Sequence, residues 1–145
     1  MSVVQGLRKI GKLNVQTKAY DFASFTDHIC SNENVFLKRY RWCVTMRIIE
    51  AVDEIAINID LANDVDMRTK NPEILKERIA ERVKYQKMAL RFSIRAETLM
   101  EKAYRDNNQE GRHFDEDKFN NWIANLLELR VLIRSWRDST LKGNY

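Results

Sequence analysis

The chain has 145 residues, a length that fits one domain with a single hydrophobic core. Only 4 Gly and 1 Pro accompany 32% charged residues, and this balance favours helices with charged outer faces over strands and tight turns. The formal net charge of +4 permits a polyanionic partner without requiring one, and the apolar runs are too short to cross a membrane.

Residues 1–12 are basic and weakly patterned, so the sequence predicts a flexible basic arm there. A first helix is predicted from about Leu13 to Cys30, because apolar side chains recur at spacings of three, four and six. A polar break then precedes a second helix, which is predicted from about Leu37 to Asn63. Its apolar line, with steps of four and three, contains Tyr40, Val44, Ile48, Val52, Ile55, Ile59 and Ala62.

A third helix is predicted to begin at Asn71-Pro72, since Asn is a good N-cap and Pro is favoured at the first helical position. It is predicted to reach about residue 105. Gly111 and the polar residues before it predict a loop over 107–114. Asp115 is then the predicted N-cap of a fourth helix, whose apolar residues again alternate at three and four.

Four amphipathic helices with short connections predict an all-α fold, an antiparallel (up-down) four-helix bundle over residues 13–141. Residues 142–145 are predicted to form a short tail. No secretory or membrane segment is apparent, so we expect a cytoplasmic protein whose two cysteines, Cys30 and Cys43, are free thiols.

Cationic side chains at helical spacing form the strongest chemical pattern of the chain. On the third predicted helix, the cations of residues 84–95 are three and four apart, so they stack on one side, away from the apolar seam. Phosphates recur along a nucleic-acid backbone, and a row of cations can meet several at once. The candidate nucleic-acid-binding residues are Lys38, Arg39, Arg41, Arg47, Lys84, Lys87, Arg91, Arg95, Arg130, Arg134 and Arg137. The alternative is an ordinary solvated face, partly neutralised by nearby acidic residues.

The hexapeptide Lys38–Cys43 combines three cations with two aromatic rings. Tyr40 begins the apolar line of the second helix, which favours a place in the core. Trp42 lies off that line, and a contact with another subunit and a contact with a ligand are about equally favoured for it. We assign Trp42 to an oligomer interface.

Patterns for catalysis and metal binding are missing. The acidic line on the second helix lacks the Glu-x-x-His motif of di-iron bundles, and the cysteines and histidines lack zinc-site spacing. The glycines are scattered and form no phosphate-binding loop. The sequence therefore predicts no catalytic residue, no metal and no cofactor, and the protein is not expected to be an enzyme.

The chain resembles the accessory variability determinant (Avd) family of diversity-generating retroelements over nearly its whole length. Relatives share a start like Ser2-Val3-Val4, a stretch like Cys30–Glu33, the hexapeptide Lys38–Cys43 and a pair like Trp136-Arg137. This chain departs from them at Asp138-Ser139, where relatives tend to add a cation, and in a long charged connection over 64–81.

The resemblance implies a non-catalytic, helical-bundle subunit encoded by a bacterium, an archaeon or a phage. Such a subunit forms a homopentamer and binds the reverse transcriptase and template RNA, or DNA, during mutagenic reverse transcription. Two alternatives stay open: the bundle family encoded by intervening sequences of ribosomal RNA genes, and a structural oligomer that binds only protein partners.

Overall fold

The structure is a computed structural model that describes residues 3–109 and 114–145, with side chains described for 14–107 and 114–145. The described residues form four α-helices and no strand, which confirms the all-α fold class. The helices are α1 (Val3–Ser31), α2 (Met46–Asp64), α3 (Pro72–Gln109) and α4 (Glu116–Leu141). None of the helices in this part of the chain has the length and apolarity to cross a bilayer.

Side-chain caps fix the beginnings of α3 and α4 where the sequence predicted them. The Asn71 carboxamide oxygen accepts a hydrogen bond from the backbone N–H of Glu73 at 3.0 Å. A carboxylate oxygen of Asp115 accepts one from the backbone N–H of Asp117, also at 3.0 Å. Each cap satisfies an N–H that has no partner inside the helix, which confirms both predicted N-caps.

Two helix boundaries differ from the predicted ones. Helix α1 begins at Val3, so residues 3–12, predicted as an arm, lie within its bounds. Glycines inside a helix cost only about 1 kcal/mol each and do not stop it as Pro does. Helix α3 continues to Gln109, into the predicted loop 107–114, of which residues 110–113 lie outside the described residues.

The chain becomes helical close to the predicted start at about Leu37, but its first eight helical residues, 38–45, are not α-helical. Lys38–Tyr40 is a turn of 3₁₀-helix, Arg41–Thr45 is a π-helical turn, and the regular helix α2 begins only at Met46. The Thr45 hydroxyl donates a hydrogen bond to the carbonyl of Arg41 at 3.2 Å. The backbone N–H of Met46 bonds the same Arg41 carbonyl, which is the wider spacing of a π-helix. The hexapeptide thus lies in 3₁₀-helical and π-helical turns that lead directly into α2.

Helix α2 packs against α1 and α3, and α4 packs against α3 and α1. The largest side chain in the core is Trp122, which is fully buried and donates its indole N–H to the Thr26 hydroxyl at 3.0 Å. The rings of Phe36 and Phe114 stand edge-on to it, with centroids 6.5 and 6.0 Å away. This cluster joins α4 to α1, to the connection between α1 and α2 that carries Phe36, and to the residues just before α4 that include Phe114.

Arg82 of α3 binds the end of α2. Its Nε and Nη2 donate to the carbonyls of Ala62 and Val65, each at 3.1 Å, and the residue is only 2% exposed. Burial lowers the pKa of the Arg82 guanidinium. The carbonyls at a helix C-terminus lack partners within the helix, so Arg82 serves as the cap that holds α3 to α2.

Candidate nucleic-acid interface

The four cations predicted on α3 form one exposed row. Lys84, Lys87, Arg91 and Arg95 are all exposed, and at 100° per residue their positions fall within an arc of about 80°. No ion pair joins any of them to an acidic residue among the described residues. Lys84 Nζ does lie 5.8 Å from the centroid of the neighbouring Tyr85 ring. The row is therefore a solvent-facing line of charge that is open to an external anion.

Lys102 and Arg105 extend this row, and the sequence prediction missed both of them. They are exposed and resume the three-and-four spacing beyond Thr98, on the same arc of the helix. From Lys84 to Arg105 the row measures about 31 Å along the axis. We call these residues the α3 cationic track: Lys84, Lys87, Arg91, Arg95, Lys102 and Arg105. The signal was present in the spacing, but Thr98 interrupts the cations.

One acidic residue approaches the track closely. Lys102 Nζ lies 4.0 Å from an Asp106 carboxylate oxygen, and both side chains are more than half exposed. Exposed pairs of this kind contribute little and weaken with salt. A phosphate can therefore compete with Asp106 for Lys102.

Arg130 points into the protein and away from any external ligand. Its Nε donates to the Ser93 hydroxyl at 3.0 Å, and its Nη2 donates to the Ser93 carbonyl at 3.1 Å. The same Nη2 lies 2.7 Å from a carboxylate oxygen of Glu97, and only 11% of the Arg130 side chain is exposed. Arg130 thus joins α4 to α3, and it holds the Glu97 carboxylate in an internal ion pair, where it is less able to neutralise the track.

The other two cations predicted on α4 differ from each other in exposure. Arg134 is exposed and lines a shallow depression of about 380 Å³ with Ser135, Asp138 and Lys142. Arg137 is half-buried, and its Nη2 lies 3.5 Å from a carboxylate oxygen of Asp138. Helix α4 therefore offers Arg134 as its most accessible cation, while Arg130 is held in an internal ion pair and Arg137 contacts its exposed neighbour Asp138.

The hexapeptide is largely exposed. Lys38, Arg39, Arg41, Trp42 and Cys43 face solvent, and the Trp42 side chain is 78% exposed. Tyr40 is half-buried, in keeping with its predicted place at the edge of the core. The indole of Trp42 is the most exposed of the large apolar side chains described.

Arg39 folds back onto Tyr40 within the hexapeptide. Its Nη2 donates to the Tyr40 hydroxyl at 3.1 Å, and its guanidinium carbon lies 5.0 Å from the ring centroid. This stacking orients the guanidinium. Arg47, at the start of α2, is also exposed. Cations are thus displayed both before and within the first turn of α2.

An acidic and aromatic depression lies at the other end of α2. It measures about 760 Å³ and includes Tyr20, Asp60, Asp64, Asp66 and Arg82 in its lining. The Tyr20 hydroxyl donates to Asp60 at 2.5 Å, and this bond raises the pKa of Tyr20. Three aspartates and two arginines, Arg68 and Arg82, thus share this lining, and it forms no cationic row.

The two thiols have opposite surroundings, and neither forms a disulfide. Burial, with the negative charge of Asp27 nearby, raises the pKa of the Cys30 thiol to about 12. Cys43 is exposed in the hexapeptide. Free cysteines are confirmed. The described residues contain no group of three His, Cys, Asp or Glu side chains positioned for a metal ion.

Comparisons with known proteins add no relative. No protein-family model, curated protein or solved structure shows a significant match to this chain. The resemblance to the Avd family thus depends on the residues quoted for it.

Proposed function

We propose that the chain is a non-catalytic adaptor that binds nucleic acid along the α3 cationic track. The observation that carries this proposal is the exposure of six cations on one face of a rigid helix, four of which the spacing alone indicated as candidate phosphate ligands. A straight row of this kind contacts backbone phosphates without reading base sequence. Binding would therefore be electrostatic and largely independent of sequence.

The proposed architecture behind the track is an antiparallel four-helix bundle. Arg82 near the start of α3 binds carbonyls at the end of α2, and Gln86 donates to the hydroxyl of Thr140 at the end of α4 at 3.1 Å. Contacts of this kind, between the first part of α3 and the ends of α2 and α4, support an up-down order.

The proposed biological role follows from the Avd resemblance. In that role the chain would act as a cytoplasmic homopentamer that presents its tracks to template RNA, or DNA, and binds the reverse transcriptase of a diversity-generating retroelement. The exposed apolar side chains of Trp42, Val131 and Ile94, which are 78%, 62% and 54% exposed, are the contacts that we propose for self-association.

RNA binding by the purified protein tests the proposed function. A labelled RNA should bind at low salt, and the logarithm of the association constant should fall linearly as the logarithm of salt concentration rises. Several engaged track cations should give a slope of about 3 or more, at 0.7 to 0.9 per phosphate. Absence of binding at low salt would contradict the proposal and favour a structural oligomer.

A further inference from the structure

We infer that the outer face of α2 is the docking surface for the hexapeptide of a second copy of this chain, with Trp42 of one copy packed against exposed apolar side chains of the next. This inference rests on the proposed self-association and names its two surfaces. We call the docking surface the α2 acidic face; it consists of Tyr20, Asp53, Ile57, Asp60, Leu61 and Asp64.

The α2 acidic face combines carboxylates with exposed apolar side chains. At 100° per residue, its five positions on α2 fall within an arc of about 100°. Ile57 and Leu61 are 47% and 42% exposed, and they lie on one side of the three aspartates. Tyr20 of α1 is 50% exposed and reaches the aspartates through its hydrogen bond to Asp60.

No ion pair joins any of these three aspartates to a cation among the described residues. Two arginines lie near the face but have other partners. Arg68 pairs with Asp66, and Arg82 donates to the carbonyls of Ala62 and Val65. The charge of the α2 acidic face is therefore open to a cation from outside.

The surroundings of two aspartates show the same lack of a cation. Asp60 accepts hydrogen bonds from two neutral groups, the Tyr20 hydroxyl and the Gln16 carboxamide, the latter at 3.0 Å. Burial, with the negative charge of Asp27 nearby, raises the pKa of Asp53. A cation brought by a partner would relieve this repulsion, so the face is complementary to a basic surface.

The hexapeptide supplies such a basic surface. Lys38 and Arg41 are exposed, and no ion pair joins either of them to an acidic residue in the described part of the chain. Trp42, next to Arg41, is 78% exposed. A ring flanked by cations matches apolar side chains edged with carboxylates, and Trp and Arg are enriched among the residues that dominate interface energies.

The two surfaces cannot meet within one copy. Helix α2 rises about 16 to 23 Å from Met46 to Ile57 and Leu61, and Trp42 precedes Met46 by four residues. Contact is therefore made between copies, and it joins two different surfaces. A contact of this heterologous kind closes into a ring or continues as a filament.

A mixing experiment tests the inference with two variants that each lose one surface. Arg41→Glu with Trp42→Ala removes the contacts of the hexapeptide, and Asp53→Lys with Asp64→Lys reverses the charge of the α2 acidic face. All four positions are exposed, so circular dichroism should show an unchanged helix content. Light scattering should find an oligomer for the wild type and a monomer for each variant alone.

An equal mixture of the two variants should give a species of two chains and nothing larger. Each variant keeps the surface that the other has lost, so a single contact remains possible. Arg91→Gln with Arg95→Gln is the control, because it removes two cations from the α3 cationic track and should assemble as the wild type does. Trp42→Ala alone should weaken assembly by about tenfold or more, and it replaces the double variants if either of them misfolds.

The inference is overturned if the variants assemble like the wild type or if their mixture stays monomeric. A wild-type protein that is monomeric at micromolar concentration would also overturn it, and would leave the α2 acidic face to a basic partner of another kind. RNA binding is measured separately on the same samples. The proposed nucleic-acid function fails only if the wild-type protein binds no RNA at low salt, whatever its state of assembly.

Discussion

Replacing Arg130 by Ala decides whether this residue belongs to the nucleic-acid surface, as its spacing predicted, or to the protein interior. The substitution removes two hydrogen bonds to Ser93 and leaves the Glu97 carboxylate, 26% exposed, without its partner at 2.7 Å. Breaking a fully buried pair costs about 3–5 kcal/mol, and exposed pairs cost less than about 1 kcal/mol. For this partly buried pair we expect a loss of about 2 kcal/mol.

Urea unfolding followed by circular dichroism measures this loss, and Arg134→Ala is the matched control. Arg134 lies one turn further along α4 and is exposed, so its replacement should change the free energy of unfolding by less than about 0.5 kcal/mol. Arg134→Ala should weaken RNA binding more than Arg130→Ala does, because Arg134 is exposed and the Arg130 side chain is 11% exposed. An Arg130→Ala protein as stable as the wild type, with weakened RNA binding, would refute the structural role of Arg130.

Two further predictions concern the thiols and Arg82. At pH 8 a thiol reagent should label Cys43 rapidly and Cys30 only after unfolding, since burial raises the pKa of Cys30 to about 12; rapid labelling of two thiols in the native protein would contradict this. Arg82→Ala should lower the free energy of unfolding by about 3 kcal/mol, because two buried hydrogen bonds from the guanidinium to the end of α2 are lost and the side chain leaves a cavity. Thermal unfolding checks it, and a transition unchanged from that of the wild type would show that Arg82 is not the cap.

Local signals in the sequence were enough to predict much of the fold. The caps Asn71 and Asp115 satisfy helix N-termini through their own side chains, so the starts of α3 and α4 depend on neighbouring residues alone. The start of α2 was not predictable from local signals of this kind. The apolar line continued regularly through Tyr40 and Val44, while the backbone there takes 3₁₀-helical and π-helical turns, which the spacing of apolar residues does not distinguish from an α-helix.

The candidate site was predictable only where exposure follows from helical phase. The cations of α3 lie opposite the apolar seam, so their spacing alone indicated a solvent-facing row. Arg130 has the same spacing on α4, but its orientation depends on Ser93 and Glu97 of another helix, far away in the sequence. The cap that Arg82 of α3 forms on the end of α2 is likewise a contact between two helices, and no local sequence pattern signals it.

The salt dependence of RNA binding in a variant with Arg91→Gln and Arg95→Gln tests the central claim most directly. Lys70→Gln with Lys118→Gln is the control, since it removes the same charge from exposed positions off the track. We predict that the Arg91/Arg95 variant stays folded, binds RNA more weakly and has a salt slope lower by about 1.5, whereas the control keeps the wild-type slope. An Arg91/Arg95 variant that keeps the wild-type affinity and salt slope would contradict the claim, because the α3 cationic track would then be only a solvated face.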